Sequence, residues 1–238
     1  WQLLANAGFG FRAPNVFDLR TLGSRPGNRF NVTNTTLDTE RVVQLDTGVR
    51  RRGETWQQEF TLFELRYDDR ITSVSTGEVT PQGRDIVQSV NAAKSRIHGM
   101  EAGFQVALTQ LVELEAVINF TRGRQELAGS SEPADRIPPL GGRLHLNYDS
   151  GRSFGASTWL RFADSQSRLS ARDVRDSRID PEGTSGWATA GAEASWRIDD
   201  AWRVALGFEN LLDRNYRYHG SGIDAPGRNA YLSAWRRW

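Results

Sequence analysis

Segments of about ten residues in which apolar and polar side chains alternate constrain the fold of this chain more than any other feature. In the clearest one, Val112, Leu114, Ala116, Ile118 and Phe120 alternate with Glu113, Glu115, Val117 and Asn119. The same pattern recurs around residues 100–108, 144–148, 188–196 and 204–208. A period of two gives a β-strand one apolar face and one polar face. The sequence therefore predicts an all-β, antiparallel architecture.

The spacing of these segments indicates which kind of β protein is present. About ten strands are predicted, joined alternately by turns of two to four residues and by loops of roughly 12 to 28, as in bacterial outer-membrane barrels. The polar stretches 15–40, 73–85, 123–136 and 164–184 are interpreted as the long loops. A change of parity between Phe60/Leu62 and Phe63/Leu65/Tyr67 predicts a β-bulge. We expect a transmembrane β-barrel, with a soluble β protein as an alternative.

Composition is compatible with a barrel and excludes several other classes. No apolar run approaches the roughly 18 to 20 residues of a membrane helix. The mean hydropathy of −0.56 does not oppose a barrel, because the polar residues that face the lumen lower the average. The 30 Lys+Arg against 29 Asp+Glu argue against a nucleic-acid-binding protein. The absence of cysteine carries no weight.

Two motifs resemble those of TonB-dependent outer-membrane receptors. Near the beginning, Phe11, Arg12, Ala13 and Pro14 form a box that closes a strand. Near the end, a long loop runs from residue 210 to 229 before an alternating strand and an aromatic terminal residue; its matching residues are Asn210, Leu211, Asp213, Tyr216, Pro226, Gly227 and Arg228. Further boxes lie between these two in the expected order. The resemblance covers residues from about 5 to 238.

The resemblance implies a fragment of a larger protein. The barrel of this family commonly has about 22 strands, so residues 1–238 are expected to form its C-terminal portion. The signal peptide, the TonB box that contacts TonB, the plug domain and the early strands would lie outside it. Trp238 is expected to serve as a signal for the outer-membrane assembly machinery. Expected surroundings are the lipids and lipopolysaccharide of a Gram-negative outer membrane.

The function implied by the resemblance is active uptake rather than catalysis. The ligand would be captured at the outer loops and released inward by the TonB–ExbB–ExbD complex acting on the plug. An iron-siderophore or a related iron complex is the expected ligand, because arginines and aromatic rings suit anionic ligands. The candidate contacts on loops are Arg25, Arg29, Arg70, Arg84, Tyr216, Tyr218 and His219. No cofactor and no metal site are expected.

Particular residues bear on three other possible functions. A haem or cobalamin receptor of the same family is an alternative, although no histidine lies between Pro14 and Asn34, where haem receptors of this family carry one. Glu113 and Glu115 are interpreted as lumen-lining residues rather than as an acid/base pair. An omptin-like, ten-stranded barrel enzyme would need a histidine–carboxylate pair at the rim, for which His219 has Asp213 and Asp224 nearby in sequence.

Overall fold

The computed structural model describes residues 1–127 and 129–237; Trp238, and with it the expected assembly signal, lies outside the described residues. The elements follow one another as β1 (Gln2–Arg12), α1 (Val16–Arg20), β2 (Gly23–Arg25), β3 (Arg29–Val32), β4 (Glu40–Arg52), β5 (Trp56–Val79), β6 (Asp85–Ala107), β7 (Val112–Leu127), β8 (Ser130–Pro133), β9 (Gly141–Asp149), β10 (Phe154–Ala163), α2 (Ala171–Val174), β11 (Trp187–Arg197), β12 (Trp202–Glu209) and β13 (Asn229–Arg236). Neither described helix is long and apolar enough to cross a membrane.

Ten strands form one continuous antiparallel path, in the order β1-β4-β5-β6-β7-β9-β10-β11-β12-β13. This confirms the all-β, antiparallel prediction and its strand number. The path is an open sheet, since β1 pairs with β4 and β13 pairs with β12, and the described residues show no pairing of β1 with β13. The three short strands β2, β3 and β8 belong to the loops. They lie off the path and pair with each other, with β6 and with β7.

The registers place every predicted oily segment on the same side of the sheet. Leu114 lies opposite Val106 and Leu146, and Leu206 lies opposite Ala194 and Leu232. Because directly opposite residues share a face, odd-numbered residues of β1 and β4 and even-numbered residues of the other eight path strands form one surface. We call this surface the apolar face and the opposite one the polar face.

The apolar face is exposed to an extent that a water-soluble domain avoids. Leu62 is 45% exposed, Leu144 45% and Leu206 46%. Contiguous apolar patches beyond a few hundred Å² are rare on soluble monomers and mark interaction or membrane surfaces. The chain thus presents a broad apolar band rather than a closed core, as a lipid-facing barrel wall does.

Aromatic residues border the apolar face at the end of the sheet that carries the short turns. The group consists of Trp1, Trp56, Tyr148, Phe154, Trp196 and Trp202. The ring centroid of Phe154 lies 6.1 Å from those of both Tyr148 and Trp196. The Arg51 guanidinium lies 4.7 Å from the Trp1 ring centroid and 5.1 Å from that of Trp56. Such a belt is typical of the membrane–water interface of β-barrels.

Two expectations about the β5–β6 hairpin are wrong. The register between β4, β5 and β6 is unbroken from Trp56 to Asp68, and the irregularity lies between Ser75 and Val79 instead. Phe63 points to the polar face simply because it packs over Gly99, where an added Cβ would lie 2.5 Å from the Phe63 ring. The stretch 73–85, expected to be a loop, is mostly strand, because β5 continues to Val79 and β6 begins at Asp85.

The other long loops also contain more structure than the sequence suggested. Residues 15–40 include α1, and β3 from this loop pairs in parallel with the beginning of β6. Within 123–136, β7 continues to Leu127 and β8 pairs back onto it. The loop 164–184 holds α2 and an isolated bridge between Gln166 and Thr184. All of these segments lie at the end of the sheet opposite to the short turns.

Candidate functional site

A buried polar network joins the β10–β11 loop to the segment before β9. Ser170 caps α2, and its backbone N–H donates to Asp173, whose side chain also accepts from the Arg136 backbone N–H at 3.1 Å. Asp176 pairs with the guanidinium groups of Arg136 and Arg178. Asp173 and Asp176 are each 1% exposed. A carboxylate so deeply buried needs its partners, because desolvation of an unpaired charge is costly.

The network continues towards β7. Arg172 Nη1 donates to Asp135 Oδ2 at 3.0 Å, and Gln125 Nε2 donates to Asp135 Oδ1 at 3.0 Å. Burial raises the pKa of Asp135. The positive charge of Arg172 and the hydrogen bonds from Ser170 and Arg172 together lower the pKa by more, so it lies below its ordinary value. Arg70 donates to Gln125 at 3.2 Å. Four separate segments of the chain, β5, β7, the stretch before β9 and α2, are thereby fixed to one another.

We expect Asp176→Asn to loosen the β10–β11 loop. The substitution removes the negative charge with which both Arg136 and Arg178 pair. We expect it to lower the free energy of opening the loop by about 2 to 3 kcal/mol. This is less than the loss expected on breaking a fully buried ion pair, because both arginines are partly exposed. Limited proteolysis should then cleave residues 164–186 faster than in the wild type. Asp180→Asn, which changes an exposed acid of the same loop, is the control. Equal cleavage of all three proteins would contradict this role.

Three aromatic side chains, two from the β12–β13 loop and one from β11, pack together beside this network. The Trp187 ring lies 4.3 Å from the Tyr216 ring and 5.1 Å from the Tyr218 ring, centroid to centroid. Trp187 is buried, Tyr218 is half exposed, and burial raises the pKa of Tyr216. The raised pKa keeps Tyr216 a neutral hydrogen-bonding group at physiological pH. The cluster forms a rigid aromatic wall at the beginning of β11.

Residues of the C-terminal motif shape the loop that carries these tyrosines. Asn210 is buried and has φ of 49°, a left-handed conformation that asparagine tolerates better than most residues. Its side chain accepts from the Arg214 N–H at 2.9 Å and donates to the carbonyls of Arg214 at 2.8 Å and Pro226 at 3.0 Å. Asp213 accepts from the Arg228 N–H at 2.9 Å. The motif thus closes the long β12–β13 loop on itself.

The first motif plays a comparable part at the end of β1. The Arg12 guanidinium pairs with both Glu40 and Asp18, and Asn15 caps α1 through the N–H groups of Phe17 and Asp18. Glu40 in turn accepts from the Ile71 N–H at 2.6 Å. Arg12 therefore links β1, α1 and β4, and Pro14 lies where the strand pairing has ended.

His219 is held at the junction of the loops. Its Nδ1 lies 2.9 Å from Thr184 Oγ1, while its Nε2 is buried and has no hydrogen-bond partner among the described residues. Burial lowers the pKa of His219, and of the nearby charges Asp173 raises it while Arg136 lowers it. A lowered pKa keeps the imidazole uncharged at neutral pH, so His219 offers a hydrogen bond rather than a positive charge.

A cavity of about 360 Å³ opens between these groups. The residues with polar or aromatic side chains that line it are Asn119, Arg143, Arg161, Phe162, Asp164, Thr184, Ser185, Trp187, Arg217, Tyr218 and His219. Arg143 lies 3.5 Å from Glu115, Arg161 lies 5.7 Å from the Trp159 ring centroid, and Arg217 pairs with Asp224 at 2.8 Å. The cavity belongs to the polar face, on which Arg143 and Arg161 are directly opposite each other.

A larger cavity, of about 500 Å³, is a poor candidate for a ligand site. It is a groove over small residues of the apolar face, among them Ala102 and Ala116, with Phe60 and Leu144 at its sides. Acyl chains fill such grooves when the face is in contact with lipid. The smaller cavity, which joins charged and aromatic groups, is the one suited to a polar ligand.

The structure brings together only some of the residues predicted for ligand binding. Tyr218 and His219 line the smaller cavity and Tyr216 supports its aromatic wall. Arg29 is buried and donates to the Pro26 carbonyl at 3.0 Å, and Arg70 belongs to the network around Gln125. Arg25 is exposed on β2, and Arg84 lies in the turn between β5 and β6. None of these four arginines lines the smaller cavity as described.

Sequence reasoning missed Arg143, Arg161, Trp187 and Arg217 as members of the site. The first three lie on strands, whereas only loop residues were considered. Their signal was parity, because all three have the parity of the polar face close to the loop end of a strand. Arg217 lies between the two predicted tyrosines and was available to the same reasoning.

Comparisons with known proteins agree with this architecture. A family description, "TonB dependent receptor-like, beta-barrel", matches residues 1–211. A search of curated protein sequences finds no match. Similar solved structures include the copper transporter OprC (TM-score 0.81, 21% identity, 99% of this chain and 37% of that one). The siderophore receptor PirA from Pseudomonas aeruginosa is also similar (TM-score 0.71, 19% identity, 98% and 38%).

A third solved structure, the siderophore receptor PirA from Acinetobacter baumannii, matches with a TM-score of 0.74 at 16% identity, over 99% of this chain and 39% of that one. At these identities the structures show the fold alone. The chain spans less than two fifths of the length of each of these proteins. Since the family match extends over most of the sequence, the chain belongs to the TonB-dependent receptor β-barrel family.

Proposed function

We propose that residues 1–238 form the C-terminal barrel portion of an outer-membrane receptor that takes up an anionic metal complex, an iron-siderophore above all. Receptors of this family are transporters, and the TonB–ExbB–ExbD complex would act through a plug domain outside these residues. The observation that carries the proposal is the cavity where Arg143, Arg161 and Arg217 meet an aromatic wall on the polar face. In the barrel this face lines the lumen.

The chemistry of the cavity suits a ligand with several negative charges and flat rings. Arginine binds anionic oxygens through paired hydrogen bonds, and aromatic side chains stack on planar groups. Arg143 and Arg161 are exposed and have only weak contacts of their own, so they are available. Tyr218 and the uncharged His219 add further hydrogen-bonding groups. A ferric tris-catecholate has both features, three negative charges and three aromatic rings.

The other predicted residues are assigned secondary parts in this proposal. Arg25 and Arg84, on the outermost hairpins, would attract the anion as it approaches. Arg29 and Arg70 would stabilise the loops, because both are engaged by protein groups. Trp238 remains proposed as the assembly signal. Outer-membrane location follows from the same reasoning, with the apolar face in contact with lipid.

The arrangement does not favour the enzyme alternative. An omptin-like site requires His219 to face a carboxylate, but Asp213 accepts from the Arg228 N–H and Asp224 pairs with Arg217. The side-chain partner of the imidazole in the described structure is Thr184. The two acids that lie near His219 in sequence are therefore both occupied elsewhere.

Equilibrium binding to the full-length receptor that carries this chain tests the proposal. Arg143→Gln combined with Arg161→Gln should weaken binding of a ferric tris-catecholate at least tenfold, because each removes a charged hydrogen bond worth about 1.5 to 3 kcal/mol. Arg152→Gln with Arg203→Gln, at the short-turn end, removes equal charge and should leave binding unchanged. Unaltered affinity of the first variant, or tighter binding of haem or cobalamin than of the ferric complex, would overturn the proposal.

A further inference from the structure

A row of arginines crosses three neighbouring strands on the apolar face. Arg66 of β5 lies directly opposite Arg96 of β6, which lies directly opposite Arg124 of β7. In the adjacent row, Glu64, His98 and Arg122 lie opposite one another in the same way. All four arginines are exposed. We call Arg66, Arg96, Arg122 and Arg124 the arginine patch.

The arginine patch has more positive charge than its neighbouring carboxylates balance, although Asp68 and Glu126 lie on either side of Lys94 in the next row towards the loops. Glu64 accepts from Arg96 Nη2 at 2.6 Å and pairs with Arg66, so one carboxylate serves two guanidinium groups. Arg122 and Arg124 have no carboxylate within 4 Å in residues 1–127 and 129–237. Arg122 instead lies 5.6 Å from the Phe120 ring centroid. Like charges directly opposite each other destabilise a sheet, so an external anion would relieve the repulsion that Glu64, Asp68 and Glu126 leave among the arginines and Lys94.

The position of the arginine patch identifies the anion. Beyond the row of Glu64, His98 and Arg122, the next residues of the apolar face towards the short turns are apolar: Leu62, Met100 and Phe120. The patch therefore begins where the lipid-facing band ends, on the side of the long loops. A ligand that fits both surfaces has acyl chains beside the band and phosphate groups at the level of the arginines. Free phosphate would satisfy only the second surface.

We propose that the arginine patch binds the phosphorylated headgroup of an outer-leaflet glycolipid, lipopolysaccharide. The inference rests on the proposed outer-membrane location but not on the identity of the transported ligand. Arg122 and Arg124, with no carboxylate partner, supply the charge that is not shared with Glu64. Basic residues beside a bilayer bind anionic headgroups in an additive, salt-dependent manner. The patch lies on the opposite face from the cavity of Arg143 and Arg161, so the two sites are separate.

The test uses the purified full-length receptor in a non-ionic detergent, titrated with diphosphoryl lipid A. Arg122→Gln combined with Arg124→Gln should weaken binding at least tenfold. Glu64→Gln should strengthen it several-fold, because it frees Arg66 and Arg96 from their shared carboxylate. The opposite signs separate the proposal from simple misfolding. Arg152→Gln with Arg203→Gln is the charge-matched control and should bind as the wild type does.

Two further titrations identify the source of the anion. Inorganic phosphate alone should compete only at concentrations at least a hundredfold above those of diphosphoryl lipid A, and lipid A without phosphates should bind at least tenfold more weakly. Unchanged binding in the Arg122/Arg124 variant, an equal loss in the control, or competition by inorganic phosphate at lipid concentrations would overturn the proposal. Ferric-complex binding, measured on the same samples, reports on the proposed function separately and should be unchanged in every one of these variants.

Discussion

Leu114→Arg is expected to destabilise the membrane-inserted receptor by about 2 to 4 kcal/mol, because the substitution places a charge on the lipid side near the middle of the bilayer. Leu114 lies on the apolar face between Val106 and Leu146. Both neighbours are apolar, so the new guanidinium would find no counter-charge in its row. Reversible unfolding by guanidinium chloride in lipid vesicles gives the free energy directly.

The matched control is Asn147→Arg. Asn147 directly follows Leu146, the residue that lies opposite Leu114. Asn147 lies opposite Glu113 on the polar face, where water and a carboxylate receive the charge. We expect a change within about 0.5 kcal/mol, as for most surface substitutions. If the two variants lost equal stability, the apolar face would not be in contact with lipid.

Asn210→Ala is expected to loosen the β12–β13 loop by about 3 kcal/mol, since it removes three hydrogen bonds to backbone groups and each contributes about 1 kcal/mol. The substitution removes the partners of the Arg214 N–H and of the Arg214 and Pro226 carbonyls. It also removes a hydrogen-bond partner of Thr189 and places alanine at a positive φ of 49°. Trypsin should then cleave after Arg214 and Arg217 much faster than in the wild type.

Asn215→Ala is the control for this prediction, because Asn215 is exposed in the same loop. It should be cleaved at the wild-type rate. The loosened loop of the Asn210 variant should also weaken ferric-complex binding, since Tyr218 and His219 depend on its shape. Protection from trypsin equal to that of the wild type would show that Asn210 does not hold the loop.

The sequence predicted the strands well, for a simple physical reason. In a strand with one face towards lipid, every second residue must be apolar, and this requirement produces a sequence period of two. The segment from Val112 to Phe120 is the clearest case, and the registers place its oily residues with those of nine other strands. The number of strands followed from the same alternation.

The alternation of apolar and polar residues ends near Arg66 of β5, which explains the errors around β5 and β6. Past Arg66 the residues on both faces of this hairpin are largely polar, so strand and loop have similar compositions there. Thr72 and Val87 are both buried there, and Val87 lies opposite Asn31 of the loop strand β3. Phe63 misled the prediction in another way, because its partner Gly99 offers space on the polar face that a one-dimensional pattern does not reveal.

The candidate site could be predicted only in part, because it is assembled across strands. Tyr218 and His219 were found from their place in a polar loop. Arg143 and Arg161 lie opposite each other only once β9 and β10 are paired in register. The buried carboxylates Asp173 and Asp176 lie in a loop rich in serine, arginine and aspartate, where nothing in the sequence distinguishes them from exposed residues.

Accessibility of single cysteines along β7 tests the central claim, that the apolar face is in contact with lipid and the polar face lines the lumen. The 238 residues contain no cysteine, so each of positions 113–119 can receive one spin label in a cysteine-free full-length receptor. Collision rates with oxygen, which partitions into lipid, and with a water-soluble nickel chelate are then compared. We expect oxygen to dominate at 114, 116 and 118 and the chelate at 113, 115, 117 and 119. The absence of this alternation, or its reversal, would contradict the account.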